Sequence, residues 1–100
     1  MQIARRESGG EYELWISGRV DAFAAAELDA ALDELARLSP PRVALRMIEV
    51  DFFGSAGVRS LVRYRKKASA WGGTLRVADA SEPVRTVLDL VGLGGLCSDR

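Results

Sequence analysis

Val50-Asp51-Phe52-Phe53-Gly54-Ser55-Ala56-Gly57-Val58-Arg59-Ser60-Leu61 carries the chain from an apolar strand, through a turn of small residues, into a helix. Upstream, Arg42–Met47 reads as a strong strand, and Val50–Phe53 continue its apolar run towards the turn. Downstream, a helix starts around Ser55–Gly57. Val58, Leu61, Val62, Arg65 and Ala68 have the spacing of its buried face, where only the apolar stem of Arg65 needs to pack. Trp71 lies near its end, and Gly72-Gly73 stop it.

The same alternation extends outward in both directions. Thr74–Ala78 is another strand. Ser81 is an N-cap type, and Pro83 fits a first helical turn. Val84, Val87, Leu88 and Val91 then form an i, i+3, i+4, i+7 face, closed by Gly92. Towards the N-terminus, Gln2–Glu7 reads as a short strand followed by Ser8-Gly9-Gly10, a tight-turn sequence. In Glu11–Ser17, Tyr12, Leu14 and Ile16 alternate with polar residues, the pattern of a half-buried strand. Trp15 on the opposite face implies that this side is partly covered as well. Asp21 is an N-cap type before a helix over Ala22–Leu38. Its stripe is Ala24, Leu28, Ala31, Leu35 and Leu38, widened by Ala25 and Leu32, and Ser39-Pro40-Pro41 end it.

The order is β-β-α-β-α-β-α. Strands separated by helices imply right-handed crossovers and a largely parallel sheet, to which the N-terminal hairpin adds an antiparallel edge. The expected fold is a small α/β sandwich with a mixed sheet of four or five strands and helices packed on it. One domain over residues 1–100 is expected, since no repeat, low-complexity tract or Ser/Pro-rich linker interrupts the 100 residues. With 48% hydrophobic and 28% charged residues, the composition is that of a soluble globular domain able to form one core.

Several chemistries are excluded. The chain has no histidine and one cysteine, Cys97, so Ser-His-Asp, Cys-His and His- or thiolate-based zinc sites cannot be built. Fourteen basic residues balance 14 acidic ones, which argues against a long-range field that attracts nucleic acid. No apolar run is long enough for a membrane span, and MQIARRESGG has no signal-peptide h-region, so a cytoplasmic protein is expected. The lone cysteine agrees with a reducing compartment. No enzyme activity, cofactor or metal is expected.

Ser55 stands at or beside the N-terminus of the second helix, where free backbone N–H groups and the positive end of the macrodipole gather. Read locally, two roles fit it. It is a plain N-cap, or it is a hydroxyl placed where an added phosphate is stabilised and where small neighbours admit another protein's active site. The G-x-x-x-x-G-K spacing of a phosphate loop and the G-x-S-x-G elbow are both missing.

FFGSAGVRSL (52–61) resembles the D-S-[ST]-G-L signature of STAS domains, in particular bacterial anti-sigma-factor antagonists. SGRVDAFAAAELDAAL (17–32) is similar to the family's G-E-L-D…A…L lead-in to its first helix. WGGTLRVADASEPVRTVLDLVGL (71–93) is similar to its G-G-x-L…P-x-V-x-x-x-L-x-x-x-G-L ending. The resemblance spans about residues 10–97, and the ordered set is more specific than any one motif.

The resemblance implies partner switching. The unphosphorylated antagonist binds an anti-sigma factor that is also an ATP-dependent serine kinase, and so frees a sigma factor. The kinase phosphorylates the serine after the signature Asp, the complex separates, and a serine phosphatase restores the antagonist. That serine matches Ser55, the acidic residue before the first helix matches Asp21, and the signature glycine matches Gly57. The expected partner-binding residues are Asp21, Phe53, Gly54, Ser55, Ala56, Gly57 and Arg59. Two positions depart from the signature. Gly54 replaces its Asp, removing a charge that could orient the serine or meet the kinase, and Ala56 replaces its second hydroxyl residue, leaving one acceptor.

Arg59, Arg63, Arg65, Lys66 and Lys67 make the second helix basic, either as a solvated face or as a match to an acidic partner. Phe23, Phe52 and Phe53 fit either the core or an apolar rim around Ser55. The consecutive pair Phe52-Phe53 points to opposite sides of an extended chain. The departures at 54 and 56 leave a second function open: an unphosphorylated STAS subunit that is a structural partner of a membrane transporter's ATPase, as in lipid-trafficking systems. A small enzyme or ligand-binding domain is a third class, disfavoured by the missing histidine and phosphate loop.

Overall fold

The computed structural model describes residues 1–38 and 42–97. Along the chain run β1 (Gln2–Ser8), β2 (Glu11–Val20), α1 (Ala22–Ala36), β3 (Arg42–Phe53), α2 (Ser55–Ala70), β4 (Thr74–Ala80) and α3 (Glu82–Leu90), followed by a 3₁₀ turn at Gly94–Leu96. The four strands form one sheet in the order β1-β2-β3-β4. β1 and β2 are antiparallel, joined by Gly9 and Gly10 with φ of +59° and +79°, the left-handed pair that a two-residue hairpin requires. β2, β3 and β4 are parallel neighbours. The expected order and mixed sheet are present, with four strands.

One core joins the sheet to all three helices. Leu14 and Ile16 of β2, Val43, Leu45 and Met47 of β3, and Leu75 and Val77 of β4 alternate inward. They cluster with Leu28, Leu32 and Leu35 of α1, Leu61, Tyr64 and Ala68 of α2, and Val84 and Leu88 of α3. Among the described residues the sheet's other face carries no helix. Trp15 there is half-buried beneath cations, with Arg46 at 4.5 Å and Arg6 at 5.5 Å from its ring. Arg46–Asp79 (2.6 Å) and Arg76–Glu11 (2.7 Å) extend this layer. The cover expected over Trp15 is therefore made of side chains.

Several faces and boundaries differ from the sequence reading. α1 ends at Ala36 instead of Leu38, and its buried line is Ala25, Leu28, Leu32, Leu35 and Ala36. Leu28 and Leu35 of the expected stripe are buried together with its flanking Ala25 and Leu32, whereas Ala24 and Ala31 are half-buried. The Ser39-Pro40-Pro41 stop lies outside the described residues. On α2 the buried line is Gly57, Ser60, Leu61, Tyr64 and Ala68, and Arg65 is exposed. Tyr64 outweighs the two valines because its ring offers far more apolar area. Ser60 can be buried because its hydroxyl donates to the Ala56 carbonyl at 3.2 Å. On α3, Val84 and Leu88 are buried while Val91 is exposed.

β3 outlasts β4, and that sets the position of the functional end. Pairing with β4 ends at Met47↔Ala80, whereas pairing with β2 continues to Val20↔Phe53. α3 lies beside the extra length of β3, with the Ser81 N–H donating to the Met47 carbonyl (3.2 Å) and the Ser81 hydroxyl to the Val50 carbonyl. β2 and β3 therefore end together, and α1 and α2 begin side by side at the carboxyl edge of the sheet.

Candidate functional site

Two strand-to-helix turns make the site. β2 delivers Asp21 to the N-cap of α1, and β3 delivers Gly54 to the N-cap of α2. The Gly54 N–H donates to the Val20 carbonyl at 3.1 Å, so the turns are tied together at the residue before Asp21.

Ser55 is the first residue of α2 and is exposed. The N-cap is Gly54, which has no side chain, and no side-chain hydrogen bond caps this helix. The Ser55 hydroxyl makes no hydrogen bond among the described residues and is free for chemistry. Capping was one of its two sequence-level roles, and the structure gives that position to Gly54. The N–H groups of Ser55, Ala56 and Gly57 are correspondingly without a side-chain cap, and the positive end of the helix faces the hydroxyl.

Asp21 is committed to α1. Its Oδ1 accepts the Ala24 N–H at 2.9 Å, and its Oδ2 lies 3.5 Å from Arg19 Nε. The Ala24 N–H, helped by the nearby guanidinium, holds the Asp21 carboxyl below the usual aspartate range. Arg19 also lies over the Phe52 ring, 3.9 Å from its centroid. Phe52 in turn crowds Gly54. A Cβ at 54 would meet the ring's Cε1 at 3.1 Å. The Phe52 ring, on which Arg19 lies, thus occupies the space in which a side chain at 54 would begin. That is a physical reason for glycine at this position. Arg19 gave no signal in the sequence, because its role depends on the pairing of Arg19 with Phe52 across strands.

The other expected site residues divide by burial. Arg59 is exposed, one turn after Ser55, and Ala56 is half-buried. Gly57 is buried, and a Cβ there would lie 2.7 Å from Phe53 Cε1 and 3.0 Å from Val20 Cγ1. Phe53, expected at the partner surface, is only 3% exposed and belongs to the core. It shapes the turn from beneath and presents nothing to a partner. The phenylalanine rings at the surface are Phe23, 93% exposed on α1, and Phe52, 37% exposed. A groove of about 450 Å³ runs beside Phe52 and Phe53 towards Pro83 and Val87 of α3. Among the described residues no cluster of acidic or cysteine side chains could hold a metal ion, and no helix is long and apolar enough to cross a membrane.

The arrangement sets an exposed serine beside two adjoining helix N-termini at one edge of the sheet. The family model described as "Mlab, STAS domain" matches residues 3–98, and the chain belongs to this STAS family. Its fold is that of solved anti-sigma-factor antagonists. One from Mycobacterium paratuberculosis superposes with a TM-score of 0.85 at 24% identity, covering 97% of this chain and 82% of the other. SpoIIAA in its unphosphorylated form gives 0.83 at 18% identity, covering 96% and 85%. The phosphorylated form of the Bacillus cell fate determinant SpoIIAA gives 0.76 at 16%, covering 96% and 88%. At these identities the likeness is one of fold. No curated protein sequence matches the chain.

Proposed function

We propose that this chain is an anti-sigma-factor antagonist switched off by phosphorylation at Ser55. Unmodified, it binds an anti-sigma factor with serine kinase activity and releases a sigma factor. Phosphorylated, it lets go, and a serine phosphatase resets it. It acts in the cytoplasm as a protein-binding module with no catalysis, cofactor or direct nucleic-acid contact of its own. The observation that carries this reading is the exposed, unbonded hydroxyl of Ser55 at the start of a helix that glycine, not serine, caps. Asp21, Gly54, Ser55, Ala56 and Arg59 form the surface that a partner meets, and Gly57 and Phe53 hold it from below.

The switch is electrostatic. Phosphate adds about −1.5 to −2 charges, which the open N-terminus of α2 accepts with little internal change. In an interface the same group adds bulk and repels acidic groups, including ATP phosphates in the kinase. A loss of about 3 kcal/mol weakens binding by about two orders of magnitude. A local surface change is expected, and the two forms of SpoIIAA, which both share this fold, support that expectation.

A second reading is an unphosphorylated STAS subunit supporting a transporter ATPase. Gly54 and Ala56 favour it, since both depart from the antagonist signature, and the matching family model is described as Mlab and not as an antagonist. Affinity capture from native cytosol with the unmodified chain and with Ser55→Asp separates the two. A kinase-like anti-sigma factor on the unmodified bait alone supports the switch. Transporter components on both baits overturn it.

A further inference from the structure

The cations of α2 are not equivalent. Arg63 and Lys67 turn towards α1, where Asp33 meets them at 3.0 Å and 2.9 Å and Asp29 meets Arg63 at 3.4 Å. Arg59, Arg65 and Lys66 are exposed and make no ion pair among the described residues. α2 itself contains no carboxylate that could neutralise them.

Two of these cations, Arg59 and Lys66, also lie on one side. Gly57, Ser60, Leu61, Tyr64 and Ala68 mark the inward face of the helix. Ser55, Arg59, Val62 and Lys66 recur at i, i+4, i+7 and i+11, which places them along the opposite, outermost line. At 1.5 Å per residue this ridge is about 16 Å long. It starts at Ser55 and runs into a shallow depression of about 500 Å³ formed by Val62, Arg65, Lys66, Ser69 and Ala70.

We propose that the outer ridge of α2 is a docking surface for an acidic segment of a partner protein. The inference deepens the reading above, because it rests on this end of the molecule meeting a protein, but it does not require that Ser55 be phosphorylated. Its basis is charge complementarity. The chain as a whole is neutral, so the ridge is a local concentration of positive charge left over after α1 has spent Asp29 and Asp33 on the seam. Val62 and Ala70 offer too little apolar area to anchor in a bilayer. Nucleic-acid affinity comes from many phosphate contacts, more than this ridge supplies. Opposite charges across an interface act mainly on association rate and specificity. Phosphate on Ser55 sits one turn from Arg59 and cancels much of the ridge's field, so the modification that adds bulk at the turn also removes the steering.

The test places a photo-crosslinking amino acid at Val62 of the full chain in its native host and maps the captured peptide by mass spectrometry. The expected result is one protein attached through a segment of net negative charge. Binding of that protein is then timed for Arg59→Glu/Lys66→Glu and for the milder Arg59→Gln/Lys66→Gln, each checked for folding by its melting curve. Association at low salt should slow by about tenfold or more with the Glu pair and less with the Gln pair. The difference should vanish at high salt, with dissociation changed less than twofold. Cross-links to lipid, to nucleic acid or to a neutral or basic segment, no cross-link at all, or salt-independent rates overturn the proposal. Ser55→Asp judges the switch separately. If it leaves capture unchanged while Val62 still marks an acidic segment, the ridge stands and the switch falls.

Discussion

Replacing Gly57 by alanine puts a methyl group 2.7 Å from Phe53 Cε1, 3.1 Å from Phe53 Cδ1 and 3.0 Å from Val20 Cγ1. Carbon atoms in ordinary contact stand about 3.5–4.0 Å apart, so the ring must give way by about 1 Å. It has nowhere to go, because Phe53 is 3% exposed, Val20 is fully buried and both lie within the core. Overpacking of this kind costs about 1–3 kcal/mol, and a clash with two rigid neighbours belongs in the upper half of that range. Opposing it, alanine is intrinsically better than glycine in a helix by at most about 1 kcal/mol. The net expectation is a loss of about 1–2 kcal/mol, or about 5–10 °C in Tm for a domain of this size. Urea denaturation followed by circular dichroism measures it. Phe53→Leu supplies the control. Alone it destabilises through the cavity it leaves, but with the ring gone the added methyl should cost little. The double-mutant cycle should then show a coupling of about 1 kcal/mol or more. A stabilising Gly57→Ala, or an additive cycle, would refute the claim that this glycine exists to let Phe53 pass beneath the Ser55 turn.

Tyr64 is buried, its hydroxyl has no hydrogen-bond partner among the described residues, and burial pushes its pKa up to about 12. Tyr64→Phe should therefore be neutral or stabilising by up to about 1 kcal/mol in the same assay, and a clear loss would show that the hydroxyl is satisfied after all. The pH dependence follows from three carboxyls held below their ordinary range: Asp33 by the Lys67 and Arg63 hydrogen bonds, Glu11 by Arg76, and Asp21 by the Ala24 N–H. A depressed folded-state pKa means stability that is fully present above the unfolded value, about 4, and lost as pH falls through the folded one. Stability should be level from pH 7 to about 5 and fall below about pH 4. Asp33→Asn should flatten that fall, and an unchanged acid limb would remove Asp33 from the account.

Periodicity makes the element order legible because it is a local property. Apolar residues at a spacing of two or of three and four report strand or helix without knowledge of any partner, and Gly9-Gly10, Gly72 and Gly92 punctuate the chain through their own backbone freedom. The turn around Ser55 is equally local, a strand, small residues and a helix within 12 positions. The centre of a buried face is less local. Val58 and Val62 look like core by composition, yet the fold turns Ser60 and Tyr64 inward, because α2 packs on both the sheet and α1 and the Tyr64 ring has the most apolar area to bury there.

By itself the sequence determined the class of fold, the position of the exposed serine and the membership signalled by the three motifs. Each depends on short-range pattern or on residue identity. Tertiary structure alone decided what surrounds that serine. The pairing of Val20 with Phe53 brings Asp21 beside the turn. The Phe52 ring, covered by Arg19, crowds the space above Gly54. Of the two consecutive phenylalanines, Phe53 went into the core and Phe52 to the rim. Which cations stay free was settled by α1, through carboxylates some 30 residues away. Such outcomes depend on contacts between segments distant in sequence, and no window along the chain contains both partners.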